Sequence, residues 1–324
     1  MLQLLILGLL FFSNHVFAQT VGGGTHMPSN TNYLFATFKQ GTSKPLIIYK
    51  GDGVNWGNWT TTYTPCNAGG FVRDPSIAWY APTRTMYLVH TNVGGVGTQN
   101  TTFDLASSTD GHTFTCIQAV DVSAAVSGAQ AAVWMSGFVQ NSDGSLYIDG
   151  SGFLHVFFNG SNTGTLGTQF KEYETHPISM SNLAGAWSAP VEITGTGIPT
   201  NLFFGFPQVV GSNINIWTSA GSAQNIIQEI STSLASFTSG YTMTQTLVGG
   251  SSFPTFIEGL TGLYLSGIGQ PNRFRAYFST VTGLANGEYY SESDDNGVTW
   301  TTAGPTASPV KVQNGTVIPN PGLN

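Results

Sequence analysis

Two carboxylates stand out by the company they keep. Asp74 lies in FVRDPSIAWYAPTRTMYLVHT, from Phe71 to Thr91. Proline removes a ladder donor and fixes the backbone, so the D-P pair puts Asp74 at the start of a strand and not inside one. Arg73 beside it is placed to hold the carboxylate ionised, although D-P also serves simply to cap a turn. Glu258 lies in FPTFIEGLTGLYLSGIGQPNRFRAYFS, from Phe253 to Ser279, and is the lone acid of an apolar stretch. Desolvation there raises a carboxyl pKa toward what an acid catalyst needs; the alternative is a buried Glu258 paired with Arg273 or Arg275.

Such residues need elements to bring them together. Helical periodicity is scarce. Short β-rich runs recur instead (PLIIYK, MYLVHT, FLHVFF, NINIWTS, RAYFST), bounded by Gly, Asn, Asp or Pro turns. The clearest repeat is a turn that ends on an aromatic residue. SDDNGVTW, Ser293 to Trp300, matches the S-x-D-x-G-x-T-W "Asp-box" turn. Looser copies are GDGVNW (Gly51 to Trp56), STDGHTF (Ser108 to Phe114), SNLAGAW (Ser181 to Trp187) and STSLASF (Ser231 to Phe237). In each the polar side chain caps its own turn and the closing aromatic packs between sheets. Five copies predict an all-β, five-bladed β-propeller of four-stranded antiparallel blades, a single domain over 19–324.

With blades in view, the first segment resembles the glycoside hydrolase family 43 and related five-bladed glycosidases. Asp74-Pro75-Ser76-Ile77, followed by Met86-Tyr87-Leu88-Val89, is similar to their D-P-S-I motif and its downstream strand. Ile257-Glu258-Gly259 resembles their E-G-P segment, with Leu260 where proline is common. The resemblance implies Asp74 as general base and Glu258 as general acid. It also implies a third carboxylate that tunes the acid, for which Asp149 is the best match and Asp143 the competitor. The family's W-A-P-E corresponds to Trp134-Met135-Ser136-Gly137, which lacks the acidic residue. For inversion, the base and acid carboxyls should stand about 6.5–9.5 Å apart to admit water. Arg73, Trp79, Trp134, Phe204 and Arg273 are the candidate substrate contacts, each aromatic being equally suited to a core. His90 and His155 fall near the presumed axis, but two unclustered histidines establish no metal site. No cofactor is expected, and a calcium ion in the channel finds no support.

Composition narrows the partners. Charged residues are only 8% and the formal net charge is −7, so no basic stripe exists for nucleic acid or an anionic membrane. A surface of hydroxyls and amides suits neutral carbohydrate, with arabinose- or xylose-type glycans implied by the resemblance. Leu2 to Phe12 and the small-x-small pattern Val16-Phe17-Ala18 predict a signal peptide over 1–18, although MLQ lacks a basic residue. The expected product is a secreted monomer, extracellular or periplasmic. Cys66 and Cys116 then either form one disulfide or remain two buried thiols. Two other functions stay open: a non-catalytic propeller that binds glycan or protein, and a sialidase-like hydrolase. The latter needs three arginines on one carboxylate, and this chain has only Arg73, Arg84, Arg273 and Arg275.

Overall fold

A computed structural model describes residues 33–39, 45–67, 69–92, 99–162, 170–199, 202–220, 226–248, 257–264, 274–280, 287–293, 304–305 and 312–323. They form five antiparallel blades around a central channel. Blade 1 runs outward from Val312–Pro319 through Tyr33–Lys39 and Leu46–Gly51 to Trp56–Trp59. Blade 2 runs from Arg73–Tyr80 through Thr85–Thr91 and Thr102–Ser108 to Thr113–Asp121. Blade 3 comprises Ala132–Phe138, Val156–Ser161, Lys171–Thr175 and Val191–Glu192. Blade 4 comprises Phe203–Val210, Asn213–Ala220, Ile226–Ser233 and Tyr241–Val248. Blade 5 comprises Ile257–Tyr264, Phe274–Thr280, Gly287–Ser293 and Gly304–Pro305. The innermost strands contact one another in the cyclic order 1, 2, 3, 4, 5 and back to 1. Closure comes from the two ends of the described chain, because Val312–Pro319 pairs along Tyr33–Lys39.

Blades are buried on both faces, which explains why the middle strands read as apolar runs and not as alternating ones. Leu34, Ile48, Ile77 and Leu88 pack between blades 1 and 2, while Val89, Phe103, Phe138 and Phe158 pack between 2 and 3. Val139, Phe157, Ile216 and Tyr241 fill the gap between 3 and 4. Trp217 stacks on Phe274 between 4 and 5, and Phe35, Trp56 and Tyr277 join 5 to 1. Each such side chain contributes roughly 1.5–3 kcal/mol on burial.

Two short parallel strands stitch the outer edges. Thr62–Tyr63, just after blade 1, pairs with Thr113–Phe114 of blade 2, and Gly195–Thr196 pairs with Tyr241–Thr242 of blade 4. Cys66 follows the first of these and is bonded to Cys116 on the outermost strand of blade 2. Of the two states that the sequence allowed for the cysteines, the structure has the disulfide.

One irregularity recurs. All five innermost strands carry a β-bulge: between Arg73 and Ser76, at Ser136, between Phe203 and Phe206, between Glu258 and Thr261, and at Asn314. Bulges bend a strand and re-aim its side chains, and they gather at barrel rims and active sites. These five lie toward one end of the channel. The turns 51–56, 108–114, 181–187 and 231–237 lie at the other end, following the strand ends that pair away from the bulges.

Candidate active site at the bulged end of the channel

Asp74 occupies the bulge of blade 2 with φ +48°, a left-handed conformation that an aspartate tolerates better than most residues. Its carboxylate is 5% exposed. Oδ1 accepts a hydrogen bond from Asn314 Nδ2 at 2.8 Å, and Oδ2 accepts one from Thr91 Oγ1 at 3.2 Å. Thr91 in turn accepts from the Met135 amide of blade 3 at 2.8 Å. Asn314, itself at φ +47°, sits in the bulge of blade 1, and its amide nitrogen donates to Ser279 Oγ of blade 5 at 2.6 Å. Four blades therefore converge on one carboxylate.

The same contacts place the backbone of Glu258. Glu258 is paired with Ser279, the residue that receives the Asn314 amide, so its strand position lies two blades from Asp74 at the same end of the channel. Its side chain lies outside the described residues. Gly259 follows at φ +63°, and a Cβ there would fall 2.3 Å from Asn314 Cγ and Oδ1. Only glycine leaves room for the asparagine that holds Asp74.

Polar atoms without partners gather at this level. Arg73, the residue before the blade 2 bulge, is 7% exposed, and its Nε and Nη1 find no hydrogen-bond partner. It forms no ion pair with Asp74; its guanidinium carbon lies 6.0 Å from the centre of the Phe38 ring. Thr261 Oγ1 and Asn314 Oδ1 are likewise buried and unpartnered. Unmet donors and acceptors are costly in a finished core, and those near Asp74 suit a site that a polar ligand completes.

Behind Asp74 sits a closed network that the sequence did not reveal. His90 Nδ1 donates to the Thr91 carbonyl at 2.9 Å, and Nε2 lies 2.9 Å from the Tyr63 hydroxyl. Complete burial lowers the His90 pKa, against the opposing pull of Asp104. Burial pushes the Tyr63 hydroxyl upward in the same way. Asn67 and Asn92 donate to the Asp104 carboxylate at 2.8 and 3.0 Å.

The remaining candidates do not all join this cluster. Asp149 belongs to the loop after the innermost strand of blade 3, where Oδ1 accepts from the amides of Ser151 and Phe153 at 2.9 and 2.8 Å. Its Oδ2 lies 3.4 Å from His155 Nε2, toward the turn end of the molecule. The competitor Asp143 caps its own turn through the Ser145 amide and hydroxyl. That turn closes the far end of the channel, with Gly144 against Ile318 and Pro319. Neither aspartate is positioned to tune Glu258, because both satisfy their local backbone far from the bulges. Trp79 is also at the far end, its carbonyl accepting from the Leu146 amide at 2.7 Å. Trp134 is near the bulges but 2% exposed and packed edge-on against Phe170, so it is core and not a platform. Phe204 lies in the bulge of blade 4 with its side chain outside the described residues, and Arg273 is outside them altogether.

One further acid was hidden. Glu172, on the third strand of blade 3, is 1% exposed, and burial raises its pKa to about 8. The Ser136 hydroxyl and the Asn159 amide pull that value partly back. It borders a cleft of about 340 Å³ between blades 3 and 4, with Phe170, Ile193, Ile198 and Leu202 on its apolar walls.

No family model and no curated relative matches this sequence. Solved structures do. An exo-β-1,3-galactanase from Phanerochaete chrysosporium, solved with β-1,3-galactotriose, superposes at a TM-score of 0.53 and 7% identity over 76% of this chain. The match covers 53% of that protein, so this chain spans about half its length. A protein of Bifidobacterium bifidum described as a candidate exo-β-1,3-galactanase gives 0.53 at 14% identity, over 76% of both chains. This chain shares their fold. The likeness is to five-bladed propellers that include family 43 glycoside hydrolases, one a β-1,3-galactosidase matched at 0.51 and 10% identity over 80% of this chain and 53% of its own.

Proposed function

We propose that the chain is an exported glycoside hydrolase that cuts a neutral polysaccharide or oligosaccharide by single displacement. The observation that carries this reading is Asp74: a buried carboxylate at the mouth of a propeller channel, held on both oxygens by neutral donors from two blades. A carboxylate fixed in that way can take a proton from a water molecule as its oxygen bonds to the anomeric carbon. Glu258 gives its proton to the departing glycosidic oxygen as the carbon–oxygen bond breaks. The donors on Asp74 leave it one orientation, and Arg73 offers N–H groups to a sugar oxygen. Fold likeness to galactan-cleaving enzymes adds β-1,3-galactan to the arabinose- and xylose-type substrates that the sequence motifs suggest.

The test is release of reducing sugar from arabinan, xylan, β-1,3-galactan and aryl glycosides by wild type and Glu258→Gln. Activity in wild type that is lost in the variant supports a glycosidase with Glu258 as acid. Folded protein inert on every substrate would overturn it. A second reading, a non-catalytic glycan-binding propeller, is favoured by one observation: Asp149 and Asp143, the expected tuning carboxylates, are committed to turns away from Asp74. Unaltered glycan binding by Asp74→Asn, with no turnover in wild type, would support that reading.

A further inference from the structure

On the rim opposite Asp74, blade 3 carries a polar cluster at its seam with blade 4 that the proposed hydrolysis does not use. Glu174 is the penultimate residue of the third strand of blade 3, Lys171–Thr175, and His176 lies two residues on, so both face blade 4. Val156 pairs with Thr175, which sets His155, just before the second strand, beside His176. Glu174 Oε1 is 2.7 Å from His155 Nδ1 and 2.9 Å from His176 Nδ1. One ligand atom from each residue fits within a 4.8 Å span. His155 and Glu174 are buried, whereas the His176 side chain is 31% exposed.

As a hydrogen-bonded trio of neutral imidazoles and a carboxylate, this arrangement has a defect. If neutral His155 donates from Nδ1 to Glu174, its Nε2 is a bare acceptor. That atom is buried, has no hydrogen-bond partner and faces a second acceptor, Asp149 Oδ2, at 3.4 Å. A cation bound at Nδ1 removes the conflict. The proton moves to Nε2, which then donates to Asp149, in the carboxylate–histidine–metal relation that orients most histidine ligands. Two imidazole nitrogens and one carboxylate oxygen suit zinc or a neighbouring transition ion better than calcium or magnesium. Phe237 of blade 4 stacks on the His155 ring at 3.7 Å and 7°, covering one side, and His176 is the partly exposed member of the trio.

We infer that His155, Glu174 and His176 form a zinc-type site, with Asp149 as the outer carboxylate that orients His155. Binding at Nδ1 leaves each neutral ring with its one proton on Nε2, whereas an imidazolium must first lose a proton, so acid competes with the metal. The ion clamps the two middle strands of blade 3 at the seam with blade 4.

The experiment is calorimetric titration of metal-stripped protein with zinc chloride at pH 8, where free imidazole is neutral. One equivalent should bind and raise the thermal midpoint, and calcium chloride should do neither. His176→Ala, at a partly exposed position, should lose at least about tenfold in affinity, and Asp149→Asn roughly 10- to 100-fold. His112→Ala, on the same rim, serves as a control and should change nothing. Folded wild type that takes up no zinc, or uptake unchanged in both His176→Ala and Asp149→Asn, would overturn the site.

Discussion

The two ends of the channel are held by opposite strategies. At the turn end, carboxylates serve their own neighbourhood: Asp52 binds the amides of Val54 and Asn55, and Asp110 binds those of His112 and Thr113. At the bulged end the partners come from other blades, as when Asn314 reaches Asp74 across 240 residues of sequence. An aspartate that has closed its own turn is held in place by amides of its own loop. One that depends on side chains from elsewhere can exchange a partner for a ligand. Local satisfaction marks structure, and borrowed satisfaction marks a site.

The largest expected effect comes from breaking the borrowed end. Asp74→Asn should lower turnover on the order of 10²–10⁴-fold while changing the urea midpoint little, since the amide keeps the volume. Gly259→Ala should also lower turnover, because its Cβ must displace Asn314; unaltered kinetics there would deny Asn314 its positioning role. Next comes the Cys66–Cys116 link, which closes a 50-residue separation at the edge between blades 1 and 2. Replacing both cysteines with serine should cost about 4 kcal/mol in denaturant unfolding on the chain-entropy account. If the loss appears in stability alone, with turnover intact, the two ends are independent.

Glu172 sharpens the contrast by pH. Its folded pKa of about 8 exceeds the ordinary carboxyl value, so the folded state holds a proton that the unfolded chain releases. Stability should be full below the ordinary carboxyl range and fall as pH rises toward 8, by at most about 1.4 kcal/mol per pH unit. Glu172→Gln should flatten that slope in unfolding midpoints measured from pH 5 to 8. A slope that survives the substitution would assign the titration elsewhere. The smallest effect belongs to the turn end. Asp110→Ala should cost about 1 kcal/mol and leave turnover unchanged. The carboxyl of Asp110 is already lowered to about 2 by the Thr113 and His112 amides, so its bonds persist through the working pH range.

Much of this architecture was legible in the chain. Proline after Asp74 marks the start of a strand, and four of the five spaced turns fall within described blades, the fifth lying over 294–300, outside the described residues. The third carboxylate was misplaced for an equally physical reason: D-G spacing looks alike whether the aspartate caps a loop or faces a ligand, and Asp149 and Asp143 cap loops. Asn314 was missed because N-G reads as a hairpin turn, whereas here it forms a bulge within a strand. Glu172 and Glu174 alternate along KEYET like a solvent-facing row. Blade 4 covers that row, a fact of tertiary packing that no local pattern carries. His155 read as solitary because its companion His176 is a strand away.

The pairing of Val312–Pro319 with Tyr33–Lys39 has a consequence for the order of events during folding. Until that last strand docks, blade 1 exposes an open edge, Asp74 lacks one of its two donors, and Ser279 lacks the amide that it receives. Closing so long a loop comes late because its entropy must be met before any contact repays it. The proposed catalytic mouth therefore matures only when the ring shuts, so a chain stalled before Asn314 would carry an open blade 1 and no competent base.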